Sequence, residues 1–275
     1  MAKHGGPLRK LKSWLADAMA PGGLSMAGYA LPLGDQLLPL EGRVGAAFTL
    51  RFTGGRSCVR CGREVRKLYG DGLCFPCFRD APEASPCIIR PELCEAHLGR
   101  GRDVPWEREH HLQEHLVYLS FTGNVKVGVT RSVQVPVRWI DQGAMLAVPI
   151  ARVPYRQLAG AIEVDLKQHF ADRTDWRRML LLSDPVPGEV ALLHARAQVA
   201  EVLDTAFREF LLPAEPVVRI GYPLDNVPPK LVSVHLDKLP EITGKLQGIK
   251  GQYLVWADGR VLNVRSHSGF HVDVE

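Results

Sequence analysis

Apolar residues fall at two different periods along this chain, and the change of period marks its organisation. Residues 29–33, 36–40 and 47–53 are short apolar or alternating blocks, separated by Gly34-Asp35 and by the Gly42 and Gly45 turns. Blocks of this kind, broken by glycine, predict strands. Ahead of them, residues 1–20 are basic, with Lys3, Arg9, Lys10 and Lys12. They predict a frayed arm with a short helix, ended by Pro21-Gly22-Gly23. A strand–turn–strand pattern returns over 116–120, 121–124 and 125–129. Residues 136–142 predict a short helix with proline near its first turn, and 145–153 a third strand. The period then becomes helical. Leu158, Ile162, Leu166 and Phe170 recur every fourth residue through a helix expected over 155–170. Residues 175–182 and 189–212 predict two more helices. Strands resume after Pro213, and Asp258-Gly259 predicts a hairpin between 252–256 and 260–265.

The expected fold is therefore α+β. Four segments are expected: an N-terminal arm and β segment (1–54), a cysteine-rich region (55–115), a central α/β domain (116–212) and a C-terminal β segment (213–275). The two terminal β segments are expected to pack into one small subdomain. Residues 81–115 stand apart. They are rich in Pro, His and Arg, with little periodicity, and a loop of that length needs something to order it.

Composition adds little, and charge distribution adds more. The 275 residues are 46% hydrophobic and 23% charged, as in an ordinary globular protein, and the net charge is +4. Residues 51–80, however, carry Arg51, Arg56, Arg60, Arg63, Arg66, Lys67 and Arg79 against Glu64, Asp71 and Asp80. Residues 116–140 carry Lys126, Arg131 and Arg138 and no acidic residue. Such surfaces match a phosphate backbone, although a solvated basic face reads the same way. Neither a signal-peptide pattern nor an apolar run long enough for a membrane span is present, so a cytoplasmic protein is expected.

In a reducing compartment, clustered cysteines bind metal more often than they pair. Cys58-Val-Arg-Cys61 and Cys74-Phe-Pro-Cys77 form two C-x2-C turns with twelve residues between them. Two such turns can close a tetrahedral shell of four thiolates around Zn2+. A second site is expected from Cys87, Cys94 and His97, with His111 as fourth ligand and His110 and His115 as alternatives. Both sites are expected to be structural. The plainer reading of the second set is two buried free thiols and several surface histidines.

The order strand, tight turn, strand, helix, strand, helix resembles the GIY-YIG nuclease superfamily, which has a three-stranded antiparallel sheet flanked by helices. Leu116-Val117-Tyr118 stands at the first motif, and Lys126-Val127-Gly128, continued by Val129-Thr130, at the second. Arg138 falls on the following helix and Glu163 on the next long one. The resemblance implies that Tyr118 positions or deprotonates a water, that Arg138 stabilises phosphoryl charge, and that Glu163 holds Mg2+ or Mn2+. Lys126 replaces the family's second tyrosine and Leu116 its first glycine. The family's late asparagine has no counterpart beyond Thr174 or Asp175. Each residue also has a plainer reading: Tyr118 as a strand residue, Arg138 as a helix cover, Glu163 as the partner of Lys167 four residues on.

A wider resemblance runs through 31–35, 74–77, 125–131, 138–143 and 248–253. It is to a bacterial family known only as a domain of unknown function. That family places a cysteine where His111 stands, which implies a ligand role for His111. Together these features predict a nucleic-acid-binding zinc protein, contacting phosphates through Lys126, Arg131 and Arg138, with phosphodiester cleavage as an added activity. The alternatives are a catalytically inactive RNA- or ribosome-associated binding protein, and a structural or regulatory zinc protein with a protein partner.

Overall fold

A computed structural model describes residues 4–16 and 23–275. In chain order the elements are β1 (His4–Pro7), β2 (Lys12–Leu15), β3 (Leu24–Leu33), β4 (Gln36–Pro39), β5 (Ala47–Arg56), α1 (Phe75–Asp80), α2 (Val104–His111), β6 (His115–Phe121), β7 (Val125–Arg131), α3 (Val137–Asp141), β8 (Leu146–Val153), α4 (Arg156–Leu166), α5 (Trp176–Leu181), α6 (Val186–Val202), β9 (Val218–Gly221), β10 (Val232–Ser233), β11 (Glu241–Lys250), β12 (Tyr253–Trp256), β13 (Arg260–Asn263) and β14 (Phe270–Val274). Short 3-10 turns lie between them. The chain divides into two compact units. One is built from Met1–Asp17, Met26–Arg79 and Gly221–Glu275, the other from Ala18–Ser25 and Asp80–Ile220. The stretch 55–115 thus divides between them.

The first unit is mostly sheet. Its strands run β1-β14-β5-β11-β12-β13-β10, so both ends of the chain meet in one sheet. β14 lies between β1 and β5, antiparallel to each. Phe48, Leu50, Ile242, Leu246, Leu254 and Trp256 are fully buried in it. The Trp256 indole satisfies its N–H by donating to the Phe48 carbonyl at 3.2 Å. The hairpin around Asp258-Gly259 forms as the turn chemistry predicts, joining β12 and β13. The arm differs from expectation: its described residues hold strands β1 and β2, not a helix. The Gly5-Gly6-Pro7 run disfavours helix, and β14 supplies a partner that no local pattern could reveal. Asp17, Ala18, Pro21 and Gly22, within the expected helix and its break, lie outside the described residues.

The second unit holds a sheet ordered β7-β6-β8-β9, antiparallel throughout. β7, β6 and β8 match the three predicted strands closely, and β9 is an addition of four residues. Side chains alternate across a strand. In β6, Val117, Leu119 and Phe121 join a core shared with Ala159, Ile162 and Leu166 of α4 and Leu192, Ala195 and Val199 of α6. Tyr118 and Ser120 therefore take the opposite parity. The helix expected over 189–212 ends earlier, at Val202. Asp204 breaks it: its carboxylate accepts from the Ala206 amide at 2.9 Å and starts a separate 3-10 turn over Thr205–Phe210.

Candidate functional site

The first cysteine cluster is built by two small antiparallel bridges, Ser57 to Glu64 and Tyr69 to Leu73. Cys58 and Cys61 sit in the turn of the first. The Gly62 amide donates back to the Cys58 carbonyl at 2.9 Å, and Gly62 has φ +72°, which glycine adopts at little cost. Cys74 follows the second bridge directly, and Cys77 lies in α1. The four ligand atoms are all within 4.8 Å of one another. Cys61 Sγ and Cys74 Sγ are 3.7 Å apart, too far for a disulfide and close to the separation of about 3.8 Å that two thiolates take on one tetrahedral zinc ion. Burial opposes ionisation of Cys58, but backbone donors from Cys61, Cys74 and Arg60 outweigh it and bring the thiol down to about 6. An environment that lowers a thiol's pKa favours the thiolate form that metal binding needs. The set fits Zn2+, and its four protein ligands leave no open position for water.

A second cluster differs from the one expected. Cys87, Cys94, Glu107 and His111 are all buried, with their ligand atoms within 4.8 Å of one another. His111 Nδ1 stands 3.4 Å from Cys94 Sγ and 3.7 Å from a Glu107 oxygen. His97 is not among them: its ring stacks on Tyr155, 5.0 Å between centroids. His110 stacks on Trp106 and its Nδ1 meets the Trp106 carbonyl, while His115 Nδ1 meets that of Gln113. Burial pushes the His115 imidazole down to about 4. The reason is helix α2, which the loop-like composition of 81–115 concealed. Its start was nonetheless readable: Asp103 accepts from the Trp106 amide at 3.1 Å and Pro105 follows at the first turn. On a helix, positions 107 and 111 share one face, so Glu107 joins His111. Hydrogen bonding from Cys87, opposed by burial and aided by His111, brings the Cys94 thiol down to about 4, and Cys87 is correspondingly raised.

The third site is a polar group on the Tyr118 side of the β7-β6-β8-β9 sheet. Tyr118 is fully buried, edge-on to Trp139, and its hydroxyl donates to Gln142 Oε1 at 3.1 Å. Burial raises its pKa, against the nearby Arg138 guanidinium. Register places Tyr118 opposite Gly128 and Ser120 opposite Lys126. A Cβ at position 128 would stand 2.7 Å from the Tyr118 oxygen, so glycine is what lets the hydroxyl sit there.

Lys126 is only 5% exposed, and among the described residues its ammonium has no hydrogen bond or ion pair. Burial lowers it to about 8, Arg138 adds to the effect, and Glu163 and Asp172 oppose it. Burial also raises the Glu163 carboxyl above the usual range, against the nearby Lys167. That lysine is 3.3 Å from Glu163 and 3.7 Å from Asp172. Four residues from four elements (β6, β7, α3 and α4) thus feel one another's charge. Arg131, at the end of β7, is half-buried, and burial lowers its pKa. Arg156 carries no signal in the sequence pattern. It is largely buried and donates to the Cys87 carbonyl at 3.0 and 2.9 Å and to the Ile88 carbonyl at 2.9 Å.

These features define a mixed α+β protein with a four-cysteine cluster suited to zinc and a second mixed-ligand cluster. The chain belongs to the family described as "Protein of unknown function (DUF2797)", whose match covers residues 45–272. No curated protein and no solved structure matches it. Among the described residues, no helix is long and apolar enough to cross a membrane.

Proposed function

We propose that this is a nucleic-acid-binding zinc protein whose Tyr118, Lys126, Arg138 and Glu163 form a GIY-YIG-like phosphodiester site. The observation that carries the reading is Lys126, a side chain only 5% exposed whose ammonium has no hydrogen bond or ion pair among the described residues and feels the charge of the Arg138 guanidinium. Two neighbouring cations repel each other, and an anion between them relieves both. A phosphate fits, since Arg138 offers a planar fork and Lys126 a point charge. The Tyr118 hydroxyl is held in place by Gln142 and by the space over Gly128.

On the zinc-knuckle unit a second basic and aromatic surface supports the same class of ligand. Phe75 and Phe78 are exposed, and Tyr69 stacks on Phe78 with Lys67 over its ring. Bases of single-stranded nucleic acid stack on such rings while cations meet the backbone.

Cleavage is the second reading, and Glu163 is what favours it. A carboxylate near a phosphate-binding pair is where one Mg2+ or Mn2+ would bind, sharing its shell with the substrate phosphate. The metal would neutralise phosphoryl charge, Arg138 would stabilise what develops, and Tyr118 would orient the nucleophile. Lys167 now occupies Glu163, so metal binding requires that ion pair to open.

The experiment is binding and cleavage of labelled DNA and RNA, single- and double-stranded, with Mg2+ or Mn2+. Wild type, Glu163→Ala and Arg138→Ala are compared. Arg138→Ala should weaken binding about tenfold or more, and affinity should fall steeply with salt. Cleavage by wild type but not Glu163→Ala establishes the nuclease. Binding without cleavage leaves a binding protein on this scaffold. Binding by wild type and Arg138→Ala alike, or by neither, overturns the site and points to the protein-partner reading.

A further inference from the structure

We propose that Cys87, Cys94, Glu107 and His111 bind a second structural zinc ion, and that this ion fixes the coil against which helix α4 is held. The ligand set carries the first half. Two thiolates and an imidazole select zinc over magnesium or calcium, and a carboxylate completes the shell. The 3.4 Å between Cys94 Sγ and His111 Nδ1 is close to the roughly 3.5 Å that a thiolate and an imidazole take on one tetrahedral zinc. Gly101 passes directly over the Glu107 carboxylate, where a Cβ would stand 2.2 Å from Oε2, and the Arg102 amide donates to Oε1 at 2.9 Å. The loop thus seats Glu107 facing the cysteines.

The need for an ion follows from what the coil lacks. Between 82 and 98 the chain makes only four 3-10 turns. The buried apolar cluster there consists of Cys87, Cys94 and Ala96, and the coil adds only Pro82 and Pro91 as buried apolar residues, so two of the ligands make up much of a small core. Burial this small cannot offset the entropy of ordering such a segment. An ion cross-linking the coil to α2 can.

The second half follows from two contacts to α4. The Arg156 guanidinium at its start holds the Cys87 and Ile88 carbonyls. One turn on, Gly160 abuts the backbone of Pro91 and Glu92, where a Cβ would stand 2.2 Å from the Glu92 nitrogen. The coil that carries the ion thus grips α4 at two points, and α4 carries Glu163. The consequence for Glu163 rests on the function proposed above; the ion and its hold on α4 do not.

The test is zinc content of the full chain purified without chelator, read beside amide exchange. Wild type should hold about two zinc ions per chain. Cys58→Ser should leave about one, and so should Cys94→Ser and Glu107→Ala, while Glu107→Cys should retain two because a thiolate replaces the carboxylate. Amides of α4 should exchange at least tenfold faster in Cys94→Ser and Glu107→Ala, and at the wild-type rate in Cys58→Ser.

Should Cys94→Ser fail to fold, cobalt-substituted wild type decides. A four-thiolate centre and a two-thiolate centre give different charge-transfer bands, and two sets are expected. One zinc ion per chain, unaffected by Glu107→Ala, or a single set of cobalt bands, overturns the second site. Two ions in wild type, one in Glu107→Ala, and unchanged α4 exchange in that variant overturns the positioning role. Neither readout involves nucleic acid, so a failed binding assay leaves this result standing, and the reverse.

Discussion

A buried lysine ammonium is stable only while something compensates its charge. Lys126 has burial against it and Arg138 beside it, and its pKa stands near 8. In the unfolded chain it returns to about 10.4. Between these two values the unfolded state binds more protons, so stability rises with pH across that window. Below about pH 8 both states are protonated and the whole cost is felt. Lys126→Met should therefore stabilise the free protein at pH 7, by on the order of 1–3 kcal/mol, while weakening nucleic-acid binding. The advantage over wild type should shrink as pH climbs from 8 to about 10.5. Urea denaturation of both proteins at several pH values checks this, and a variant less stable than wild type at pH 7 would show that the charge is compensated in the free fold. The pattern of residues singled out Lys126, Tyr118 and Arg138 by their order along the chain. It could not show that Lys126 is buried with no hydrogen bond or ion pair among the described residues, because burial is set by strands and helices distant in sequence.

Helix α4 was legible as an element and illegible as a neighbour. Its apolar stripe, with Ala159, Ile162 and Leu166 buried, follows from period alone. Gly160 reads differently at the two levels. As a helix residue it should be improved by alanine, by about 1 kcal/mol. In the fold, a Cβ there collides with the backbone of Pro91 and Glu92, which cannot swing aside as a side chain can. Gly160→Ala should thus destabilise the protein by about 1–3 kcal/mol instead, measurable as a lowered denaturation midpoint with unchanged slope. A stabilised variant would mean that the coil yields. Helix α2 shows the opposite case. Asp103 and Pro105 signal its start, but the surrounding Pro, His and Arg masked it, and with it the pairing of Glu107 with His111 on one face. Spacing between cysteines located the four-cysteine cluster directly, because two C-x2-C turns are short enough for local geometry to bring their thiols together. The second cluster spans twenty-five positions, so its ligands depend on where α2 lies, and His97 was expected in the place that Glu107 takes.

At the scale of the molecule, strand β14 decides the most. It pairs with β1 on one side and β5 on the other. It also touches the approach to the knuckle: His271 Nε2 lies 2.9 Å from Ser57 Oγ, and just ahead of the strand the Gly269 carbonyl accepts from the Ser57 amide at 2.9 Å. Deleting residues 270–275 should therefore leave β1 without its sheet partner and turn β5 into an edge strand beside β11. The expected result is loss of cooperative melting in the sheet unit together with loss of the knuckle zinc, read by calorimetry and metal analysis. Retention of that zinc by the shortened chain would separate the knuckle from the sheet. Sequence by itself determined the mixed class, the four members of the first cysteine cluster, the three strands β6, β7 and β8, and the helix that follows them. Each of these rests on interactions within a few residues or within one period of the chain. Tertiary structure decided the strand role of the N-terminal arm, the entry of Glu107 into the second cluster, the compatibility of Gly128 with Tyr118, and the burial of Lys126. These depend on which distant segments meet, and that is set by the shared burial of apolar faces across the whole chain, which local pattern does not specify.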